Sequence, residues 1–276
     1  MSAISDRYDR AAARYQKWWA PVLEETAVRV LDRLARRLPL DEPQRIVDIG
    51  TGTGTLVLEA LRRWPQSSLT GTDASSGMIV GARERARTEL AQADQERLSL
   101  VVAEADHLPF ADASFDAAVS SFVFQLVPDR AAAFREVRRV LRPGGLLVFV
   151  TWMLSDIRFA ADEAFFDVVD ELRIPDQDGP EEDRTGDLVS PRSAADQLRR
   201  VGYRDVSAAQ EWLEYRFDRV AYVDFLEEYG ESDLFRSLEP RMRRRLRQRA
   251  TERLESLPAT DFDWRVPVVM AVARRG

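Results

Sequence analysis

The sequence contains no cysteine and a single histidine, His107. Without thiols there is no disulfide framework, no thiolate metal site and no cysteine nucleophile. One imidazole is too few for a histidine-based centre, so no metal site is expected. Long apolar runs are missing as well. The longest, 146–154, falls well short of the ~20 residues that cross a bilayer as a helix. The first residues, Met1-Ser2-Ala3-Ile4-Ser5-Asp6-Arg7, lack the apolar centre of a secretory signal. A soluble cytoplasmic protein with no membrane span is the expectation. A basic excess is absent too: 40 Lys and Arg stand against 47 Asp and Glu, for a net charge of −7. That balance argues against a nucleic-acid partner. The local exception is Arg241, Arg243, Arg244, Arg245, Arg247 and Arg249, which reads either as an anion patch or as a solvated helix face beside Glu239, Glu252 and Glu255. The lack of a basic stripe elsewhere favours the solvated face.

What is present suits one large domain with a smaller appendage: 276 residues, 45% hydrophobic and 32% charged, with no internal repeat or low-complexity tract. Tyr8, Ala11, Ala12, Tyr15 and Trp19 recur at helical spacing, and a second helix over 22–38 follows Pro21. From residue 45 to 152 the pattern alternates. Strand-like segments at 46–49, 68–72, 98–103, 115–121 and 146–151 are separated by helix-like ones, including 55–64, 75–90 and 129–141. Apolar strands divided by amphipathic helices imply right-handed βαβ units and a parallel sheet covered on both faces. Beyond Trp152 the rhythm changes to a helix over 159–172, an exposed acidic loop over 175–187, and a helix that starts at Ser190-Pro191 and ends at Gly202. Two long strands, 205–217 and 262–274, then flank a helical insertion over 218–257.

The most informative stretch is Val47-Asp48-Ile49-Gly50-Thr51-Gly52-Thr53-Gly54-Thr55-Leu56. A strand ends in alternating glycines and a helix begins at once. Such a loop turns sharply and admits a ligand where a Cβ would collide, and the free N–H groups of the next helix face a polar or anionic group. Alone, this pattern is shared with dinucleotide binders. The second strand ends at Asp73, nineteen residues after Gly54, where a carboxylate can accept from both ribose hydroxyls. This fits a nicotinamide site equally well. The third strand runs into Ala103-Glu104-Ala105-Asp106-His107-Leu108-Pro109. Asp106 can accept from an adenine amino group beside Leu108, or simply cap the turn. The fourth runs into Ser120-Ser121-Phe122-Val123-Phe124-Gln125, and a Pro143-Gly144-Gly145 turn precedes the fifth.

This order of motifs resembles the class I S-adenosylmethionine-dependent methyltransferases, within them the small-molecule group similar to quinone-biosynthesis enzymes. The resemblance covers about residues 8–152 by motif and the last two strands by pattern. It implies an α/β fold: a doubly wound, Rossmann-like sheet of seven strands, mostly parallel with strand seven antiparallel, plus helical lid segments. The family's glycine loop matches Gly50, Gly52 and Gly54 with Asp48, Thr51 and Thr53, and its ribose acid matches Asp73, followed by Ala74 and Met78. Its adenine-contacting pair matches Ala105 and Asp106, its residue after strand four matches Ser121, and Tyr15 lies where relatives close an N-terminal helix over the cofactor. The implied domains are a helical lid over 1–40 and a core over 41–276, with 218–257 completing the lid.

The cofactor's chemistry agrees. S-adenosylmethionine carries a zwitterionic amino-acid end and a sulfonium but no pyrophosphate, and this loop lacks a Lys-Ser/Thr phosphate clamp. Asp48 can attract the ammonium, and a carboxylate beside a buried strand is costly unless paired. No catalytic base is evident, so catalytic residues stay unassigned. In-line methyl transfer needs chiefly alignment, with Gln125, Tyr8 and Tyr15 available to orient. His107 reads as passive and Asp116 as structural. Trp18, Trp19, Phe122 and Phe124 either pack or line an apolar substrate pocket, with packing favoured for Phe122 and Phe124. The expectation is methyl transfer to a small apolar or aromatic molecule. The alternatives are a nicotinamide-dependent oxidoreductase, a noncatalytic S-adenosylmethionine-binding protein and, more remotely, a nucleic-acid methyltransferase.

Overall fold

The computed structural model describes residues 3–175 and 184–276; most of the acidic loop expected over 175–187 lies outside them, as do the first two residues. The elements run α1 (Ala3–Trp18), α2 (Ala20–Ala35), β1 (Arg45–Ile49), α3 (Thr55–Arg63), β2 (Ser68–Asp73), α4 (Ser76–Glu89), α5 (Gln92–Gln95), β3 (Leu98–Val102), β4 (Phe115–Ser121), α6 (Arg130–Val140) and β5 (Leu141–Trp152). They continue with α7 (Ala160–Glu171), α8 (Pro191–Arg200), β6 (Tyr203–Arg216), α9 (Tyr222–Phe225), a π-helical turn (Leu226–Gly230), α10 (Ser232–Ser237), α11 (Pro240–Glu255), a 3-10 turn (Ala259–Phe262) and β7 (Asp263–Arg275). The strands form one seven-stranded sheet in the order β3-β2-β1-β4-β5-β7-β6. β1 to β5 pair in parallel, and β7 lies antiparallel to both β5 and β6. Among the described residues, no helix is long and apolar enough to cross a membrane.

The apolar runs of the central strands are buried because both faces of the sheet are covered. Leu146, Val148 and Val150 of β5 face α2, α3, α7 and the insertion, together with Val268, Met270 and Val272 of β7. Leu147 and Phe149, with Val269, Ala271 and Ala273, face α6 and α8 on the other side. This strict alternation is the period-two geometry of a strand. The second helix runs over 20–35 rather than 22–38, and two strands start earlier than the sequence pattern has them. β5 starts at Leu141, which pairs with Phe115, and the Pro-Gly element forms an irregularity before the register resumes at Ala117 and Leu146. β6 starts at Tyr203 and bulges between Arg204 and Ser207, with Asp205 at a φ of 48°.

Two contacts decide where the N-terminal helix sits. Asp9 of α1 reaches the start of α4, where its Oδ1 accepts from the Gly77 N–H at 2.7 Å and the Ser75 hydroxyl at 2.6 Å. A Cβ on Gly77 would lie 2.7 Å from the Asp9 carbonyl oxygen, so only glycine lets the helices approach this closely. Further along α1, Gln16 accepts from the Thr53 hydroxyl in the glycine loop. The other end of α1 meets the insertion: Lys17 and the Trp18 indole N–H both donate to Glu228 Oε2, at 2.6 and 2.7 Å. The arginine-rich face of α11 is a solvated one. Arg243 and Arg247 pair with Glu227, Arg247 also with Asp224, and Arg249 with Glu171.

The amide of Gly77 and the hydroxyl of Ser75 hold the Asp9 carboxyl below its ordinary pKa, so this anchor is present above about pH 4 and is lost as the carboxyl protonates below it. Asp9→Ala should cost about 1 kcal/mol, as for loss of a helix cap. It should also speed hydrogen exchange across α1 more than across the sheet, which exchange mass spectrometry at neutral pH would measure.

Candidate cofactor and acceptor site

The carboxyl ends of β1 and β4 lie side by side where the strand order reverses, which is where doubly wound sheets open a crevice. The glycine loop forms one lip. Gly50 and Gly52 adopt φ values of 68° and 55°, in the left-handed region that L side chains avoid. A Cβ on Gly50 would stand 2.1 Å from Val123 Cγ2 in the loop after β4. Glycine at 50 is therefore demanded by the protein's own packing. At Gly52 a Cβ would meet only the Tyr15 ring, at 3.8 Å, so that position faces the open cleft. Asp73 pins the loop from the end of β2: its Oδ2 accepts from the Gly52 N–H at 2.8 Å and its Oδ1 from the Ser75 N–H at 2.9 Å.

These elements enclose a cleft of ≈ 260 Å³. Of the residues predicted to bind cofactor, Tyr15, Gly50, Gly52, Asp73, Ala74, Met78, Ala105, Asp106 and Ser121 all line it. Asp48, Thr51 and Thr53 do not; they sit beneath, around a void of ≈ 30 Å³ that shares Tyr15, Gly50 and Ser121 with the cleft. Thr51 donates its hydroxyl to Asp48 Oδ2 at 2.7 Å, and Thr53 is committed to Gln16. The cleft also takes Tyr8, Ser75 and a wall running from Phe122 through Val123 and Leu126 to Pro128. Of that wall the sequence offers only Phe122 as a pocket-lining residue, and packing is the reading favoured there; the structure puts Phe122 on the wall of this cleft and of the larger cavity beside it. Phe122 sits in the left-handed region at a φ of 56°, a strained placement for a bulky residue that no sequence signal marks.

Asp48 is 1% exposed. Burial, with the Asp73 charge adding to it, pushes its carboxyl up to about 7 against the pull of Thr51. The Val57 amide acts on its charge without closing a hydrogen bond, and Oδ1 has no partner among the described residues. A buried orphan carboxylate oxygen beside a small void fits a ligand ammonium. Burial likewise raises Asp73 to about 6, opposed by the Ser75 and Gly52 amides. Tyr15 is raised well above its ordinary value, burial again being the largest cause, so it stays a neutral phenol.

A second cavity of ≈ 1110 Å³ adjoins the cleft and shares Tyr8, Tyr15, Phe122 and Leu126 with it. Its walls are aromatic. Trp19 faces Trp152, Phe225, Tyr229 and Trp264, with centroids 5.7 to 6.5 Å apart, and Phe122 packs on Trp152 at 4.3 Å. The tryptophan pair divides its work, Trp19 lining the cavity while Trp18 binds Glu228. Gln125, 2% exposed, donates to the Phe122 carbonyl at 2.7 Å and so fixes the strained residue. Phe124 packs on Phe134 and Phe149 in the core. Asp116 accepts from the Arg45 N–H and pairs with Arg142, and His107 is exposed.

A family model described as a methyltransferase domain matches residues 47–149. The malonyl-[acyl-carrier protein] O-methyltransferase of Geobacter sulfurreducens is 32% identical over 230 residues, 82% of this chain and 80% of that protein. The chain belongs to the S-adenosylmethionine-dependent methyltransferases, and its cofactor is S-adenosylmethionine. Among particular relatives, a ubiquinone/menaquinone biosynthesis C-methyltransferase of Geotalea daltonii is 34% identical over 154 residues, 53% of this chain and 62% of that protein. The phosphoethanolamine N-methyltransferase 2 of Haemonchus contortus, solved with S-adenosyl-L-methionine, shares the fold at a TM-score of 0.54 and 20% identity, over 90% of this chain and 53% of that one.

The two glycines should separate by experiment. Gly50→Ala collides with Val123 and should lower stability by about 2 kcal/mol or more, read as a fall in Tm. Gly52→Ala should keep most of the Tm and instead weaken S-adenosylhomocysteine binding by calorimetry. Equal losses of Tm would mean that both glycines serve packing.

Proposed function

We propose that this methyltransferase acts on a small acceptor with a largely apolar or aromatic body, held in the ≈ 1110 Å³ cavity. The observation that carries this reading is the aromatic lining of that cavity together with the wall it shares with the cofactor cleft. Tyr8, Tyr15, Phe122 and Leu126 line both spaces, so an acceptor stacked among the tryptophans reaches the cofactor without crossing bulk water. The quinone-biosynthesis relative is named for a pathway whose products fit the same class of acceptor.

The proposed cofactor site is the set that lines the cleft with the three residues beneath it. Asp48 offers its orphan oxygen to the ammonium, the loop amides face the carboxylate, Asp73 takes the ribose hydroxyls, and Ala105 and Asp106 border the adenine. When bound, S-adenosylmethionine supplies an electrophilic methyl on a sulfonium. The chain's own residues align, exclude water and orient; none is assigned as a base. Alignment of two bound reactants accounts for a large share of such an acceleration. The α1 and α2 region and the insertion over 218–257 form the lid, latched where Lys17 and Trp18 meet Glu228. Closure there keeps water from the sulfonium and sets specificity.

Two outcomes test these roles. Asp48 ionises at about 7 in the fold against 3.8 for an ordinary carboxyl, so between those values the fold holds a proton that the unfolded chain has released. Unliganded stability therefore falls as pH rises from about 4 to 7. An ammonium favours the ionised form, so S-adenosylhomocysteine affinity should climb about tenfold per pH unit below 7 and level off above it. Calorimetry from pH 5.5 to 7.5 reads this slope, and Asp48→Asn should flatten it. Trp152 lines only the larger cavity, so Trp152→Ala should raise KM for an aromatic acceptor about tenfold while the cofactor Kd moves far less. A matching loss of cofactor affinity would place the tryptophan in the fold rather than in acceptor binding.

A further inference from the structure

The aromatic cavity has one acidic end. Asp162 of α7 and Glu231, between the π-helical turn and α10, both line it, and neither borders the cofactor cleft. Asp162 accepts a hydrogen bond from the Tyr222 hydroxyl. Glu231 has no hydrogen bond or ion pair through its carboxylate among the described residues, and the charges that act on it, from Asp162 and Asp233, share its sign. Burial is the larger reason its carboxyl rises to about 7. Two half-buried acids that act on each other's charge, with no cation paired to either among the described residues, destabilise an apolar cavity unless a ligand supplies the opposite charge.

Five arginines line the cavity, none of them in an ion pair with either acid among the described residues, and Arg184 is engaged in an interaction of its own. Arg236 is spent on Asp233. Arg14 donates to the backbone carbonyls of Arg10 and Glu228, and Arg7 and Arg10 come from α1, at the Tyr8 end. The acids lie at the opposite end of a file of rings. From Tyr15 the ring centroids step 6.3 Å to Tyr229, 6.2 Å to Phe225 and 5.5 Å to Tyr222, which holds Asp162. Aromatic faces around a carboxylate pair are the surroundings that a desolvated ammonium prefers, through cation–π attraction and charge-assisted hydrogen bonds.

We propose that Asp162 and Glu231 recognise a basic nitrogen on the acceptor, at the end remote from the atom that receives the methyl group. The acceptor is then an elongated aromatic or apolar amine, its cation against the acids and its far end at the wall of Tyr8, Tyr15, Phe122 and Leu126. The inference rests on the reading of this cavity as the acceptor site. It adds that the site selects for positive charge.

Three probes with one aryl body separate the possibilities: 4-phenylbutylamine, 4-phenylbutan-1-ol and 4-phenylbutanoate. Each is titrated into the full chain saturated with S-adenosylhomocysteine at pH 8, where Glu231 is ionised. The amine should bind about tenfold or more tightly than the alcohol, and the carboxylate weakest. In Glu231→Gln the amine-to-alcohol ratio should fall towards one, whereas Glu231→Asp should retain a preference. If the glutamine variant does not fold, the ratio in the unaltered protein still decides. Equal binding of amine and alcohol, or tightest binding of the carboxylate, overturns the selection for charge and leaves the aromatic acceptor site standing. Binding of none of the three overturns both.

Discussion

The crevice exists because the chain leaves β1 towards one edge of the sheet, through β2 and β3, and leaves β4 towards the other, through β5. Connections that diverge cannot cover the ends of the two central strands, so the carboxyl ends of β1 and β4 stand open. Everything functional is arranged around that gap. The glycine loop must bend over it, and it does so under the Val123 side chain, where even a methyl group at residue 50 has no room. Asp73 then ties the loop to β2 through the Gly52 amide. The floor of the site is thus set by sheet topology and one tight contact, before any ligand enters.

Two carboxyls placed where water is scarce give the site its electrostatic character. Asp48 and Asp73 are both pushed upward, to about 7 and about 6, chiefly by burial. Strain of this kind persists because the surrounding strands over-determine it. A site that is unfavourable when empty, and relieved by a ligand with complementary charge, couples binding to stability. The acidic end of the larger cavity repeats the arrangement at a lower degree of burial, with Glu231 also near 7.

The proposed lid depends on different physics. α1 carries few buried apolar contacts of its own and is placed by Asp9 at the start of α4 and by Gln16 at the glycine loop. Its far end is clasped to the insertion through Glu228. Polar latches of this type open at less cost than a packed core does, which suits the proposed role of admitting a cofactor and an acceptor and then excluding water.

The sequence by itself determined the sheet, the glycine turn and the acids at the strand ends, because these are local. A strand reads as an apolar run, a turn as alternating glycines, and Asp73 stands at the end of such a run and Asp106 in the turn that follows another. It also located the insertion, since β6 and β7 flank it with strand-like patterns. Only the tertiary structure decided what comes from distant segments meeting. Thr51 and Thr53 turned beneath the cleft because Asp48 and Gln16 claim their hydroxyls. Phe122 became a shared wall because Gln125 and β5 hold its backbone in the left-handed region. Asp162 and Glu231, roughly seventy residues apart in the chain, met at one end of an aromatic cavity because α7 and the insertion pack against the same face of the sheet. Periodicity reports which side of an element is buried; which partner buries it is settled only when the layers close.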